Sequence, residues 1–136
     1  MPVPEGKLTA VQHQIMQVLW QQGENGATAS EIWEQICADR DVGRTTVLKQ
    51  IQRLESRRWL RRKPGARVAC YLAVLDQQQT AQLLAGEFVN DFFGGSLCEL
   101  VLSVLGSRDL RASDVQRLRQ ILEDHVSRRG AKRKPS

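Results

Sequence analysis

The sequence predicts a mainly α-helical chain that contains one small β-hairpin. Apolar residues recur at helical spacing in six segments, which short polar stretches separate. Strand-like alternation of polar and apolar residues runs from Arg67 to Ala73, and a Pro64-Gly65 turn precedes it. Three helices, a hairpin and three more helices, in that order, predict a winged helix-turn-helix followed by a helical region.

The first two helices are predicted from the residues at which they begin. Thr9 and Thr28 each stand three residues before a glutamine or a glutamate, which is the pattern of a capping box. Apolar residues then recur at helical spacing, so helix 1 is predicted over residues 10–22 and helix 2 begins after Thr28. Residues 1–7 contain two prolines and one glycine, and we expect them to be loosely held.

The third helix, which lies within residues 43–63, combines one apolar face with one cationic face. The apolar face indicates that the helix docks on the rest of the fold. It is formed by Val47, Ile51, Leu54 and Arg58, with Leu48 on its flank. The opposite face has no acid and is formed by Thr45, Lys49, Gln52, Arg53 and Ser56. Side chains of this kind suit phosphate oxygens and base edges, and a merely solvated helix face is the alternative.

Positive charge is concentrated in two places along the chain. Residues 44–67 hold nine basic residues against one acid, Glu55, and residues 128–136 add five more basic residues. Since the net charge of the chain is +5 and these segments contribute +8 and +5, the remaining residues carry −8. A focused cationic segment on an otherwise acidic chain indicates a polyanionic partner such as double-stranded DNA.

The hairpin behind helix 3 continues this cationic segment. Val68, Cys70 and Leu72 alternate with polar or smaller neighbours, which is the period-2 pattern of a half-buried strand. Three basic residues crowd the expected tip of the hairpin: Arg62, Lys63 and Arg67. We expect a DNA-contacting wing, and a plain solvent-exposed hairpin is the alternative.

The expected location of the protein follows from what the chain lacks. It has no run of about 18 apolar residues, so membrane insertion is not expected, and it lacks the pattern of an export signal. Cys37, Cys70 and Cys98 are odd in number, widely spaced and without CxxC spacing, which favours buried thiols over a disulfide framework. A cytoplasmic protein is therefore predicted.

The composition changes near Asp76, where three apolar helices begin. We predict a winged-helix DNA-binding domain over residues 1–75, a helical dimerisation region over 76–127 and a basic disordered tail over 128–136. The helical region carries more apolar surface than so small a bundle can hide alone, and two-fold proteins match paired half-sites on duplex DNA. A homodimer is predicted, and helices that fold back on the winged domain are the alternative. The predicted seam is formed by Phe88, Phe92, Leu97, Leu100, Val101, Val104, Leu118 and Leu122.

Five segments resemble the BlaI/MecI/CopY family of bacterial transcriptional repressors, in unbroken order over about residues 8–125. They are LTAVQHQIMQVLW, RTTVLKQIQRLESRRWL, ARVACYLAVL, FFGGSLCELVLSVL and DLRASDVQRLRQIL. The resemblance implies an N-terminal winged helix, a C-terminal helical dimerisation region and repression from dyad operators. It implies operator contacts from helix 3 by Arg44, Thr45, Thr46, Lys49, Gln50 and Arg53. It implies phosphate contacts from the wing by Arg62, Lys63 and Arg67.

Three positions depart from the family pattern. The resemblance implies a membrane-embedded sensor protease as a partner, which cuts an Asn-Phe bond in penicillinase repressors, and Ser103-Val104 stands at that place here. The copper-responsive branch carries C-terminal cysteines in CxC spacing, whereas this chain has no cysteine after Cys98. Relatives place a glycine after helix 3 where this chain has Trp59, so the helix must end in another way.

Three alternative functions compete with that of a repressor. No catalytic residue, metal ligand set or cofactor is predicted, because His13 and His125 lie far apart and no phosphate loop or nucleophile motif occurs, so an enzyme is not expected. A winged-helix protein-interaction module would not need nine basic residues in the segment 44–67. A thiol- or metal-responsive regulator would need accessible cysteines, and all three lie within apolar patterns.

Overall fold

The computed structural model describes residues 3–107 and 109–133, with side chains as far as Arg129. The helices within these residues are α1 Ala10–Gln22, α2 Ala29–Cys37, α3 Arg44–Ser56, α4 Gln77–Phe93, α5 Leu97–Leu105 and α6 Ala112–Arg133. The strands β1 Ala27–Thr28, β2 Leu60–Arg62 and β3 Cys70–Ala73 form one antiparallel sheet in the order β1-β3-β2. The predicted fold class, mainly helical with a small β-hairpin, is confirmed.

The first two helices begin at the predicted capping boxes. The hydroxyl of Thr9 accepts the N–H of Gln12 at 3.2 Å, and the Gln12 side chain accepts the N–H of Thr9 at 3.0 Å. Thr28 and Glu31 form the same reciprocal pair. Hydrogen bonds from the Thr28 backbone and hydroxyl lower the pKa of Glu31, because they stabilise its charged form. These caps satisfy N–H groups that a helix start otherwise leaves without partners.

The three N-terminal helices and the sheet enclose one hydrophobic core. Its buried side chains include Ile15, Met16, Leu19, Ile32, Ile36, Val47, Ile51, Leu54, Trp59, Leu60 and Tyr71. The first half of α4 adds Leu83 and Leu84 at the edge of this core. The predicted docked face of helix 3 is therefore confirmed for Val47, Ile51 and Leu54. Removal of this apolar surface from water is the main interaction that holds α3 in place.

The prediction for helix 3 is wrong at Arg58, because α3 ends at Ser56. The backbone N–H of Trp59 donates to the carbonyl of Leu54 at 2.9 Å, and that of Arg58 donates to the carbonyl of Glu55 at 3.1 Å. This is the Schellman pattern of a helix C-terminus. Arg58 has φ of 68°, so an arginine takes the left-handed conformation that a glycine usually supplies. The next residue, Trp59, is fully buried.

Residues 4–7 are held against the end of α3, which corrects the expectation of a loosely held segment. Pro4 is buried. The N–H of Glu5 donates to the carbonyl of Arg57 at 3.0 Å, and the carbonyl of Glu5 accepts the indole N–H of Trp59 at 2.9 Å. Trp59 thus supplies both apolar surface and a hydrogen-bond donor to the N-terminal segment. The first two residues lie outside the described part of the chain.

The hairpin places one residue of β3 in the core. Tyr71 is 3% exposed, whereas Val68 is 67% exposed in the loop before the strand. The predicted strand from Arg67 to Ala73 is therefore too long, since β3 begins at Cys70, and its buried side is that of Tyr71. The predicted turn is confirmed, and Gly65 has φ of 77°. A winged helix-turn-helix is the result.

Capping residues and glycines mark where the C-terminal helices begin and end. Asp76 caps α4, with its carboxylate accepting the N–H of Gln79 at 2.8 Å, and α4 ends before Gly94, which has φ of 56°. The hydroxyl of Ser96 accepts the N–H of Glu99 at 3.2 Å and caps α5. The last helix, α6, continues to Arg133, into the segment predicted as a basic tail over residues 128–136, and residues 134–136 lie outside the described part of the chain.

The chain forms two compact units, which divide between Glu87 and Phe88 within α4. The division lies further along the chain than the boundary predicted at residue 76, because the first half of α4 belongs to the core of the first unit. Among the residues that the structure describes, no side chain from residue 88 onward is buried. The assignment of this region to dimerisation stays a prediction.

The cysteines differ from expectation. Cys37 and Cys98 are exposed, and Cys70 is partly buried. The interpretation of the cysteines as buried thiols is therefore wrong for the first two, because helical periodicity alone does not identify the buried face.

Within the described ranges, no single helix is long and apolar enough to span a membrane, although α4 and α5 taken together meet that criterion across the break at Gly94 and Gly95.

Gly26 lies close against β3, and its replacement tests whether the fold requires a residue without a side chain there. A Cβ atom on Gly26 would lie 2.5 Å from the carbonyl oxygen of Tyr71, a backbone atom that cannot easily move. Gly26→Ala is expected to destabilise the fold by more than the ~1–3 kcal/mol that an unfavourable backbone conformation alone costs. Gly23→Ala is the matched control, since φ is also positive (57°) and nothing lies within 4 Å of its Cβ position. Equal losses in urea denaturation would contradict this account.

Candidate nucleic-acid interface

The outward face of α3 is where the structure places most of the predicted site residues. Side chains exposed on this helix include Arg44, Thr45, Thr46, Lys49 and Arg53, and Gln50 is partly buried. Lys49 and Arg53 are four residues apart, so they lie one above the other on the same face. Their exposure follows from the burial of Val47, Ile51 and Leu54 on the opposite side.

The start of α3 is open to an anion. Gly43 is its N-cap and makes no side-chain cap bond, and no acid occupies the first turn. The N–H groups of the first turn therefore point outward with the positive end of the helix dipole. This differs from α1 and α2, whose starts are closed by capping boxes.

Trp33 supports the first residue of α3. The guanidinium carbon of Arg44 lies 4.5 Å from the centre of the Trp33 ring, and the indole N–H of Trp33 donates to the carbonyl of Val42 at 2.8 Å. The tryptophan thus fixes the turn before α3 and stacks on the arginine that begins the helix. These contacts join α2 to the start of α3, and no signal in the sequence indicated them.

A residue of α1, Gln12, hydrogen-bonds the side chain of Gln50. Its side-chain oxygen accepts a hydrogen bond of 2.9 Å from the side-chain nitrogen of Gln12, which is only 4% exposed. The Gln50 amide nitrogen keeps its donors for another partner. Gln12 also accepts a hydrogen bond of 2.9 Å from Arg57. Sequence reasoning identified Gln12 as a capping residue and missed this second role, because the contacts join positions far apart in the chain.

The wing residues are distributed differently from the prediction. Arg62 donates to the carboxylate of Glu55 at 3.1 Å, and its guanidinium lies 5.9 Å from the Tyr71 ring. Lys63 donates to the carbonyl of Asn25 at 3.4 Å. The side chains of Arg62 and Lys63 therefore make hydrogen bonds to residues outside the hairpin and do not cluster at its tip. Arg67 is exposed in the loop between β2 and β3.

The predicted dimer seam is exposed in the single chain. Phe92 and Leu97 are 62% and 56% exposed, and the rings of Phe88 and Phe92 lie 4.9 Å apart. Among the predicted residues, Leu100 is partly buried, and those that are exposed are Phe88, Phe92, Leu97, Val101, Val104, Leu118 and Leu122. Apolar surface of this extent on one chain is typical of an interaction site.

The histidines and acids offer no alternative centre in the described part of the chain. No three His, Cys, Asp or Glu side chains converge there in the way that a metal ion requires. His13 packs edge-on against Trp20, with ring centres 5.7 Å apart, which is a structural contact at the rim of α1.

Comparison with known proteins agrees with this geometry. The sequence profile described as "Penicillinase repressor" matches residues 8–124. The chain is 24% identical over 116 residues to the methicillin resistance regulatory protein MecI of Mammaliicoccus sciuri, covering 85% of this chain and 93% of that protein. It is 24% identical over 118 residues to the penicillinase repressor of Staphylococcus aureus, covering 87% and 92%. It is also 24% identical over 116 residues to that of Bacillus licheniformis, covering 85% and 89%.

The profile match extends from before α1 into α6 and includes both units. The matched relatives are covered over almost their whole length. The chain therefore belongs to the penicillinase repressor family, whose members are transcriptional repressors and not enzymes.

Proposed function

We propose that this repressor is a homodimer that binds a dyad operator through α3 and the wing. The observation that carries the proposal is the outward face of α3, which presents Lys49 and Arg53 with no acid beside them on that face. A surface of this kind binds phosphate groups and base edges. The names of the relatives, penicillinase repressor and methicillin resistance regulatory protein, support the same function.

The dimensions of α3 support insertion into the major groove. The helix has 13 residues and is therefore about 20 Å long at 1.5 Å per residue. The major groove of B-DNA is about 12 Å wide and admits one α-helix. Lys49, near the middle of the helix, would face base edges, whereas the uncapped start at Gly43 would meet a backbone phosphate.

A second copy of the chain would cover the apolar side chains of α4, α5 and α6. Leaving these side chains in water is unfavourable, and a two-fold assembly would bury the same patch on each protomer. The dimer would also present two α3 helices to two half-sites of one operator. Homodimerisation therefore serves both the stability of the second unit and the symmetry of the target.

Release from the operator is part of the proposal. We propose that a stress signal ends repression, with a membrane-embedded sensor protease as the candidate partner. The bond at the corresponding position, Ser103-Val104, lies inside α5, and Val104 is exposed. A different residue pair from Asn-Phe at this place implies a protease of different sequence preference.

Selection from random-sequence duplexes tests the function directly. The full chain is expected to enrich one sequence with dyad symmetry, whose binding weakens steeply as salt is raised. Enrichment of no sequence, together with undetectable binding at low ionic strength, would favour a winged-helix module that binds another protein.

Lys49→Ala is expected to weaken binding to the selected operator by about 1–3 kcal/mol and to relax the preference at one base position. The reason is that Lys49 lies in the middle of the exposed face of α3, where it would face bases. Binding to variant operators, measured by fluorescence anisotropy, checks this. Arg117→Ala, an exposed position of α6, is the control that removes the same charge. Unchanged binding by Lys49→Ala would exclude α3 as the reading element.

Glu55→Gln is expected to strengthen binding and to steepen its salt dependence by up to about one unit of slope. Glu55 is the one acid in the segment 44–67 and holds Arg62 at 3.1 Å, so its neutralisation releases a cation for phosphate. Asp124→Asn in α6 removes the same charge elsewhere and serves as the control. A weaker complex with Glu55→Gln would mean that the bond orients Arg62 productively.

Leu118→Asp and Leu100→Asp are each expected to yield monomers, because a carboxylate buried in an apolar seam lacks a partner. Light scattering coupled to size-exclusion chromatography measures the mass. Ser127→Asp is the matched control, since at 100° per residue it lies on the side of α6 away from Leu118 and Leu122. Dimers of unchanged stability in both leucine variants would refute this seam.

A further inference from the structure

We propose that a cleft at the C-terminal end of α3 binds one phosphate group. Resting on the function proposed above, we assign that phosphate to the DNA backbone. The cleft has a volume of about 290 Å³ and lies between the N-terminal segment, the start of α1 and the end of α3. Its lining residues are Lys7, Thr9, Gln12, Arg53, Ser56 and Arg57.

The charge of the lining favours an anion. Three of the lining side chains, Lys7, Arg53 and Arg57, are cationic, and none is a carboxylate. Thr9 and Ser56 add hydroxyl groups, which can donate to phosphate oxygens. The combination of a guanidinium, an ammonium and hydroxyls around one space is the chemistry that recognises phosphate.

Arg57 is already oriented before any ligand arrives. One terminal nitrogen donates to the carbonyl of Lys7 at 2.9 Å, and the other donates to the side chain of buried Gln12 at 2.9 Å. A guanidinium has five N–H donors, so these two bonds leave others for an anion. The backbone carbonyl of Arg57 is also fixed, because it accepts the N–H of Glu5. Little conformational entropy is then lost when an anion binds.

The cleft continues the outward face of α3 beyond the proposed base-reading residue. Arg53 and Ser56 lie four and seven residues after Lys49, on the same side of the helix. Since α3 is about 20 Å long and the groove about 12 Å wide, the helix end would reach past the bases to a backbone. The uncapped start of α3 would meet one strand, and the cleft would meet a phosphate of the other.

The test uses Lys7→Ala, which removes the ammonium group and keeps the backbone carbonyl that accepts the hydrogen bond from Arg57. Binding of the full chain to a random-sequence duplex is measured at several salt concentrations. The slope of log K against log salt is expected to become shallower by about one, with the same loss for every sequence. Arg117→Ala is the charge-matched control and should leave the slope unchanged.

A second arm separates DNA from a free phosphate source. Inorganic phosphate is added without DNA, and the amide NMR signals of Lys7 and Ser56 are followed in the wild type and in Lys7→Ala. An unchanged DNA slope together with saturable phosphate shifts that Lys7→Ala abolishes would overturn the assignment to DNA and support a free phosphate ligand.

An unchanged slope without phosphate shifts would overturn the site altogether. The proposed function would still stand in that case if Lys49→Ala weakened operator binding. Conversely, a wild-type chain that binds no duplex at low ionic strength removes the proposed function, and the phosphate titration alone then decides whether the cleft is an anion site.

Discussion

The burial of one side of α3 is the constraint on which the other features of the first unit depend. Val47, Ile51 and Leu54 are removed from water against α1, α2 and the sheet. Rotation of the helix about its axis would expose these apolar side chains to water. At about 25 cal/mol for each Å² of apolar surface exposed, that exposure would cost several kcal/mol. The cationic side faces outward because the apolar side is packed against the core.

Contacts at both ends of α3 keep this orientation precise. Before the helix, the indole N–H of Trp33 donates to the backbone carbonyl of Val42, and its ring stacks on Arg44. After the helix, Trp59 is buried, and its indole N–H donates to the backbone carbonyl of Glu5. The two indoles act in the same way, since each combines a large apolar surface with one hydrogen-bond donor. If α3 is the helix that enters a groove, as proposed, its fixed ends mean that little conformational freedom is lost on binding, which favours affinity and specificity.

Features governed by neighbouring residues could be predicted from the sequence. The starts of α1 and α2 follow from side chains three residues apart, and the turn at Gly65 follows from one proline and one glycine. Features governed by distant contacts could not. Alternation across β3 marks two faces without saying which one is buried, and the packing of Tyr71 decides it.

In the candidate site, too, some features could be predicted from the sequence and others depend on contacts between distant residues. The exposed face of α3 was predictable, because the spacing of Val47, Ile51 and Leu54 fixes its direction. The bonds from Gln12 to Gln50 and from Arg62 to Glu55 were not, because each joins separate elements. The left-handed conformation at Arg58 also lacked a signal, since no glycine marks it.

The buried position of Pro4 has a practical consequence for handling the protein. The next residue, Glu5, donates its N–H to the carbonyl of Arg57 at the end of α3. An affinity tag fused at the amino terminus would therefore be joined close to the surface proposed to bind DNA, and an acidic tag there would compete for the same cations. Fusion proteins intended for binding assays should carry the tag elsewhere or have it removed.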